Sequence, residues 1–258
     1  LALKALLAGE LDSYEGSPGG PLIALSRGAD IKIIGCYWPG LTYGIYSKPS
    51  IGSIKDLKGK SFAISSPGAL PDLVVRAILE TADMSASDVR FVVMGSDTDR
   101  FKAVAAGIVD AGAASTGFEP IAQKSGVKLL VQAHDLLPNY LRFCMYTTGK
   151  ALAAHRDETA KFLAAEMAAF RFAMANRDKT IALAKDITGA KPEDPGAAFI
   201  YDEVMHYKAI DPDMAIPTDK LAWMQQLLVR TGNLKSPSDL KAAVDDGPRE
   251  KALELSKK

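Results

Sequence analysis

The sequence predicts an α/β protein with two doubly wound lobes of similar construction and a helical C-terminal part. One observation is a repeat: residues 3–12 return as residues 101–110, with Lys, Ala, Ala, Gly and Asp in register. Each copy is typical of a helix that ends at Gly and is followed by a short strand. A second observation is the alternation of short apolar runs and helical runs up to residue 138, as a parallel sheet requires. The third is the helical pattern from residue 151 onward.

Length and composition indicate a globular protein without a broad nucleic-acid surface. The 258 residues are 48% hydrophobic and 24% charged, which suits a folded chain with a sizeable core. Thirty-one basic and 31 acidic residues give a formal net charge of zero. Because a nucleic-acid surface needs a strong basic excess, we expect no nucleic-acid partner. No apolar run reaches the length of a membrane span.

The cysteines and histidines show no metal-binding pattern. Cys36 and Cys144 lie in apolar runs, and we interpret them as buried small hydrophobes. A disulfide between them stays open, since sequence cannot establish one. The histidines, His134, His155 and His206, are far apart, without the spacing of metal ligands. We therefore expect neither a metal nor a cofactor.

In chain order, strands and helices alternate through the first half. Strands are predicted from apolar runs between turn residues at 11–15, 31–36, 42–46, 61–65, 90–94, 109–114, 127–132 and 141–147. Helices are predicted at 3–8, 22–27, 71–81, 97–106 and 119–125. The run 31–36 is almost continuously apolar, as in a buried parallel strand.

The C-terminal part is predicted to be helical. Apolar residues at helical spacing begin with the stripe Leu163, Met167, Phe170 and Met174. Further helices are predicted at 181–187, 199–205, 220–231 and 237–244. We interpret the Met and aromatic positions as core packing, not as a cofactor site. Lys257 and Lys258 are expected to form a solvated tail.

Three turns precede helices in a way that favours ligand binding. They are residues 17–20, 65–69 and 115–118, and each contains Ser. A helix N-terminus has unpaired N–H groups and a positive dipole end, so it attracts a carboxylate, sulfonate or phosphate. Each Ser could instead simply cap its own helix. Three such turns in one chain favour a ligand.

No motif predicts catalysis. None of the three turns is a Walker loop or a dinucleotide-binding glycine pattern. Residues 16–19 lack the spacing of a nucleophile elbow. Asp97 and Asp99 open a predicted helix, and we interpret both as capping residues because negative charge is favoured there. The sequence has features of binding and none of catalysis.

Aromatic residues are expected to line the ligand pocket. Tyr14, Tyr37, Trp38 and Tyr43 lie at or beside turns, and aromatic walls are common in small-ligand pockets. Partly buried packing is an equal alternative for Tyr14 and Tyr43.

Several motifs, in this order, resemble the solute-binding proteins of ABC importers. They are residues 5–12, residues 54–60 leading into 62–64 and 66–68, and residues 105–111. The resemblance is to the subgroup that handles alkanesulfonates, taurine, nitrate and thiamine pyrimidine precursors. It covers residues 1 to about 150 and is looser in the helical tail.

The resemblance implies a type II periplasmic-binding-protein fold, with two α/β lobes and a cleft between them. Residues 1–46 and 139–258 would form lobe 1, and residues 47–138 would form lobe 2. The family has a strand and most of a helix ahead of residue 3, which are missing from this chain. We expect that an export signal preceded residue 1.

The resemblance also implies a function and a set of ligand contacts. The expected function is non-catalytic capture of a small organic molecule, an aromatic or sulfonate or carboxylate anion, and its delivery by a monomeric periplasmic or extracellular protein to a membrane permease. A thiamine-type pyrimidine is the close alternative; a pyrimidine-synthesis-like enzyme and the ligand-sensing domain of a regulator are others. The expected ligand contacts are Tyr14, Ser17, Trp38, Ser65, Ser66, Gly68, Ala69, Ser115, Thr116 and Phe118.

Overall fold

The computed structural model describes residues 2–256, so the predicted tail of Lys257 and Lys258 lies outside it. The chain forms two compact units. Unit 1 contains the residues up to Gly40, then Asn139–Thr180, and those from Lys208 onward; unit 2 contains Leu41–Pro138 and Ile181–Tyr207. This division differs from the predicted lobes in two segments, 41–46 and 181–207, which both belong to unit 2.

Strands and helices alternate through the first 138 residues. In order, the elements are α1 (Ala2–Ala8), β1 (Ser13–Gly16), α2 (Gly19–Leu25), β2 (Lys32–Trp38), β3 (Tyr43–Ser47), β4 (Ser61–Ile64), α3 (Leu70–Glu80), β5 (Arg90–Val93), α4 (Asp97–Ala105), β6 (Ala111–Ser115), α5 (Glu119–Ala122), β7 (Lys128–Gln132) and α6 (Ala133–Leu136).

The remainder is mostly helical. It contains β8 (Phe143–Thr147), α7 (Gly149–Ala154), α8 (Arg156–Ala175), α9 (Arg177–Thr188), α10 (Gly196–His206), α11 (Thr218–Arg230) and α12 (Gly247–Leu255). None of the helices described between residues 2 and 256 is both long and apolar enough to cross a bilayer.

The sheet of unit 1 has the order β1-β8-β2. Both outer strands run antiparallel to β8, so within this sheet β2 is paired antiparallel and not parallel as expected for residues 31–36. One face of this sheet packs on α8 through a buried cluster that includes Ile34, Met145, Leu163 and Met167. Burial of this cluster contributes to the hydrophobic stabilisation of unit 1.

Cys36 and Cys144 form a disulfide between β2 and β8. Both residues are fully buried, as interpreted, and the disulfide that the sequence left open is present. Neighbouring antiparallel strands bring side chains within bonding distance, and here they join residues that are 108 positions apart in sequence.

The predicted helix at 237–244 is also wrong. Ile33 of β2 accepts a hydrogen bond from the N–H of Asp245 (3.0 Å) and donates one to the carbonyl of Ala243 (2.8 Å). Val244 thus forms a parallel bridge with Ile33. Residues 241–243 form a turn, in which the N–H groups of Ala243 and Val244 donate to the carbonyl of Leu240, so tertiary pairing outweighs the helical apolar spacing.

The sheet of unit 2 has the order β5-β4-β6-β3-β7. β5, β4 and β6 are parallel to one another, and β3 is antiparallel to β6 and β7. α10 belongs to this unit because it packs on the turn after β6: the hydroxyl of Thr116 donates to Glu203, and a Cβ on Gly117 would lie 3.0 Å from Cγ1 of Ile200.

The repeated sequence unit has the same local structure in both copies. Gly9 and Gly107 have φ values of 76° and 72° and end α1 and α4. The N–H of Glu10 bonds the carbonyl of Ala5 at 2.9 Å, and the equivalent bond from Ile108 is also 2.9 Å. These are matching Schellman caps, which favour Gly because it adopts positive φ without steric cost.

The two repeated aspartates have different environments. Asp110 accepts hydrogen bonds from Nζ of Lys48 (2.7 Å), from the N–H of Ser61 (2.9 Å) and from its hydroxyl (2.7 Å). The bond from Lys48, followed by those from Ser61, holds the pKa of Asp110 well below its usual value. Asp12 is exposed and accepts the Thr147 hydroxyl through its backbone carbonyl. Only the second aspartate joins strands through its side chain.

We predict that Asp110→Asn lowers the free energy of unfolding at pH 7 by about 2 kcal/mol, since charged hydrogen bonds to two groups are weakened. Because folding lowers the pKa of Asp110, its carboxylate stabilises the fold above the unfolded-state pKa of about 3.9 and loses this effect as the pH falls further. Urea titrations at several pH values should therefore show the difference from wild type shrinking in acid. Asp12→Asn is the matched control; an equal loss in both variants would contradict the assignment.

Candidate ligand-binding site

Two of the predicted binding turns lie side by side at the carboxyl edge of the unit 2 sheet. β4 and β6 are parallel neighbours with Ala63 opposite Gly112, so the turns that follow them, residues 65–69 and 115–118, are adjacent. β3 begins at the same edge, with Tyr43 opposite Ser115. The carboxyl edge of an open α/β sheet is the usual place for a ligand.

A buried guanidinium holds this edge together. Arg100 is 1% exposed. Its Nε donates to the carbonyl of Ala113 (2.7 Å), and Nη2 donates to the hydroxyl of Tyr43 (2.8 Å). It also bonds the carbonyl of Gly95 and the carboxylate of Asp97. Through these four hydrogen bonds the planar guanidinium joins β3, β6 and the start of α4.

The capping interpretation is confirmed for Asp99 and wrong for Asp97. Asp99 forms a capping box with Ser96, whose N–H it accepts at 2.8 Å, and these bonds lower the pKa of Asp99. Asp97 instead accepts the Tyr43 hydroxyl (2.6 Å) and the N–H of Ser115 (2.9 Å). Burial, reinforced by Asp97, raises the pKa of Tyr43, which keeps the hydroxyl protonated. Asp97 positions the turn after β6.

The turn at 115–118 uses much of its own hydrogen-bonding capacity. The hydroxyl of Ser115 accepts the N–H of Gly117 at 3.3 Å, so this serine does cap the short helix that follows. Thr116 is fully buried and bonded to Glu203. Phe118 stacks on Phe101, with ring centroids 4.7 Å apart. Ligand contact by Ser115, Thr116 and Phe118 stays a prediction.

Carboxylates surround the same turn. Asp97 and Glu203 bond it directly, and Glu119 follows it at the start of α5. Burial raises the pKa of Tyr46, whose hydroxyl donates to the carbonyl of Ser115, and Glu119, Glu203 and Asp97 raise it further. The guanidinium of Arg100 pairs with Asp97 beside the same turn, so the surroundings of residues 115–118 carry charges of both signs.

The turn at 65–69 has a different character. α3 begins after Ala69, so neither Ser65 nor Ser66 is its N-cap residue. Asp72 of α3 accepts the N–H of Gly68 at 2.7 Å and is paired with Arg76 at 2.8 Å. The helix N-terminus therefore already holds one carboxylate, which partly offsets its attraction for a second. Ligand contact by these turn residues also stays a prediction.

Two predicted residues lie at the carboxyl edge of the unit 1 sheet. Gly16 pairs with Cys144 and Trp38 pairs with Phe143, so Ser17 and Trp38 lie on either side of the start of β8. Among residues 2–256, neither Oγ of Ser17 nor Nε1 of Trp38 has a hydrogen-bond partner, although both atoms are buried. The capping alternative fails for Ser17, because α2 has no side-chain cap.

Tyr14 is part of the packing of unit 1. Its ring stacks on Tyr146, with centroids 5.2 Å apart, and burial raises the pKa of both phenols. Tyr14 lies opposite Tyr146 in the β1–β8 ladder, three residues before Ser17 along the chain. The packing alternative explains this placement, and ligand contact by Tyr14 stays a prediction.

Arg142 is not among the residues predicted from the sequence to contact a ligand. Its guanidinium carbon lies 4.3 Å from the centroid of the Trp38 ring and 5.1 Å from that of Phe143. A local signal existed in the pair Arg142-Phe143 at the start of a predicted strand, but the contact with Trp38 joins residues that are distant in sequence.

Within residues 2–256, no group of three or more His, Cys, Asp or Glu side chains is placed to hold a metal ion.

Comparison with known families fits this architecture. A family model described as NMT1/THI5 like matches residues 3–180. The chain belongs to the NMT1/THI5-like family. No curated protein matches it at the level of sequence. The resemblance stated from the motifs is confirmed for the family.

Solved structures confirm the fold of this NMT1/THI5-like chain. The periplasmic aliphatic sulphonate binding protein SsuA of Escherichia coli is 20% identical, with a TM-score of 0.76 over 95% of this chain and 79% of that one. The alkanesulfonate-binding SsuA of Xanthomonas axonopodis pv. citri, bound to MOPS, is 19% identical, with a TM-score of 0.78 over 95% and 84%. The desulfurization enzyme DSZB is 18% identical, with a TM-score of 0.67 over 95% and 86%. At these identities the likeness shows the periplasmic-binding-protein fold alone.

We predict that Arg100→Lys destabilises the NMT1/THI5-like chain by about 3 kcal/mol, because Lys cannot reproduce the fork and leaves buried acceptors unpaired. Chemical denaturation measures this loss directly. The exposed Arg90→Lys on β5 is the matched control and should change stability by less than about 0.5 kcal/mol. A loss below about 1 kcal/mol at Arg100 would show that the guanidinium does not hold this edge together.

Proposed function

We propose that this chain is an extracytoplasmic solute-binding protein that captures a small organic anion and delivers it to an ABC importer in the membrane. The observation that carries the proposal is the pair of buried, unpartnered polar atoms at the carboxyl edge of unit 1, Oγ of Ser17 and Nε1 of Trp38. A buried polar group without a partner costs about 1–3 kcal/mol. A ligand that accepts both hydrogen bonds removes this cost.

Family and fold support the same proposal. The NMT1/THI5-like match and the likeness to two sulfonate-binding proteins favour a binding role. The disulfide supports a location outside the cytoplasm, since disulfides persist in oxidising compartments. By analogy with the binding components of importers, the partner would be a membrane permease. That the turns of the two units share one ligand stays a prediction.

The ligand class follows from the side chains at the unit 1 edge. Trp38 and Phe143 pack edge to face, with centroids 6.1 Å apart, and offer an aromatic wall. The guanidinium of Arg142 lies on both rings. A flat organic acid, carboxylate or sulfonate, suits this combination better than nitrate. A thiamine-type pyrimidine is the alternative within the same fold.

A thermal-shift screen tests the proposal. The panel contains alkanesulfonates, aromatic carboxylates and sulfonates, nitrate and aminopyrimidines. A ligand at about 100 times its dissociation constant adds about 2.7 kcal/mol of stability, which should raise the melting temperature by roughly 5–10 °C in a chain of this size. We expect the largest shift from an organic acid. No shift with any compound would contradict a small-anion function, and a shift with aminopyrimidines alone would favour the alternative.

Ser17→Ala separates binding from folding. Because the Ser17 hydroxyl is buried without a partner, its removal should leave the stability of the ligand-free protein unchanged or slightly higher. Affinity for the best acid in the screen should fall roughly tenfold, the value of a hydrogen bond to a charged group. Calorimetric titration measures this change.

Ser26→Ala, at the exposed end of α2, is the control for this variant. The Ser26 hydroxyl donates to the carbonyl of Ile23 at 2.7 Å, so its removal should leave affinity unchanged. Equal affinities for Ser17→Ala and wild type would assign Ser17 no part in binding.

A further inference from the structure

Arg142 lies at the carboxyl edge of the unit 1 sheet, near the Ser17 hydroxyl and the Trp38 indole N–H. It immediately precedes β8, and its backbone N–H donates to the carbonyl of Trp38 at 3.1 Å. The strand pairings that place Ser17 and Trp38 beside Phe143 therefore also place them beside Arg142. One cation and two buried hydrogen-bonding groups share this end of the sheet.

The guanidinium is held by ring contacts. Its carbon is 4.3 Å from the Trp38 centroid and 5.1 Å from the Phe143 centroid, both within the range of a cation–π interaction. A guanidinium presents its N–H groups in its own plane, and this planar fork can bind a carboxylate or sulfonate through two parallel hydrogen bonds. Arg142 is also half-buried, and partial burial strengthens attraction for an anion.

We infer that Arg142 binds the anionic group of the ligand, with Nε1 of Trp38 and the hydroxyl of Ser17 as further donors to the same oxygens. The inference rests on the proposed function and deepens it by naming the residue that selects for charge.

Arg142 could instead balance carboxylates inside unit 1. Burial raises the pKa of the Tyr37 phenol, Glu15 and Glu166 raise it further, and Arg142 lowers it. Burial raises the pKa of Glu166, and Glu15 adds to this. A purely structural Arg142 would affect the binding of charged and uncharged ligands alike. A ligand-binding Arg142 would affect only charged ones.

The experiment therefore compares acids with their isosteric amides. Calorimetry measures the binding of benzenesulfonate and benzoate, and of benzenesulfonamide and benzamide, to wild type, Arg142→Gln and Arg142→Lys. We expect wild type to bind the acids at least tenfold more tightly than the amides. Arg142→Gln should weaken the acids about 30-fold and the amides less than threefold, and Arg142→Lys should recover part of the loss.

Arg27→Gln is the control, because it removes the same charge from an exposed position after α2. It should bind all four probes like wild type, and thermal melting of each variant checks that the fold is retained. If Arg142→Gln weakens acids and amides equally, or weakens neither, the role of Arg142 is overturned and the proposed function stands. If wild type binds neither acid, the proposed anionic ligand and the role of Arg142 both fall.

Discussion

The carboxyl edge of the unit 2 sheet depends on one buried cation. Arg100 bonds the carbonyl of Ala113 in β6, the hydroxyl of Tyr43 in β3 and the carboxylate of Asp97 in α4. Asp97 in turn accepts the N–H of Ser115 and so fixes the turn after β6. A buried ion pair is retained only when its remaining hydrogen bonds are satisfied. Here the hydrogen bonds are supplied in part by the backbone that borders the predicted site. The same network therefore holds the fold of unit 2 and sets the shape of its carboxyl edge.

The two copies of the sequence repeat, residues 3–12 in unit 1 and 101–110 in unit 2, have different surroundings. Both copies end a helix with a left-handed Gly, through equivalent hydrogen bonds. In unit 2 the aspartate after that Gly joins strands through Lys48 and Ser61. In unit 1 a disulfide joins the neighbouring strands β2 and β8 instead. The turn after β6 in unit 2 is rich in carboxylates, whereas the unit 1 edge has Arg142 stacked on aromatic rings.

Local patterns predicted what depends on local physics. Gly9 and Gly107 were recognisable as caps because few other residues adopt positive φ at a helix end, and the strand-end position of Ser17 followed from the alternation of strands and helices. Features that join distant residues were not predictable. The Cys36–Cys144 pairing, the pairing of Ile33 with Val244 and the stacking of Arg142 on Trp38 all depend on which strands become neighbours. Asp97 was misassigned for the same reason: its position at a helix start explains its charge, but its partners come from β3 and β6.

The central claim is that a small solute binds at the unit 1 edge beside Trp38. The chain has two tryptophans, and Trp223 lies on α11, 6.1 Å from Tyr140 between ring centroids. Intrinsic fluorescence of Trp223→Phe, titrated with the best acid from the screen, therefore reports Trp38 alone. We predict a saturable change in its emission at the dissociation constant found by calorimetry, and no change in Trp38→Phe. A ligand that binds by calorimetry but leaves the emission of Trp38 unaltered would contradict the claim.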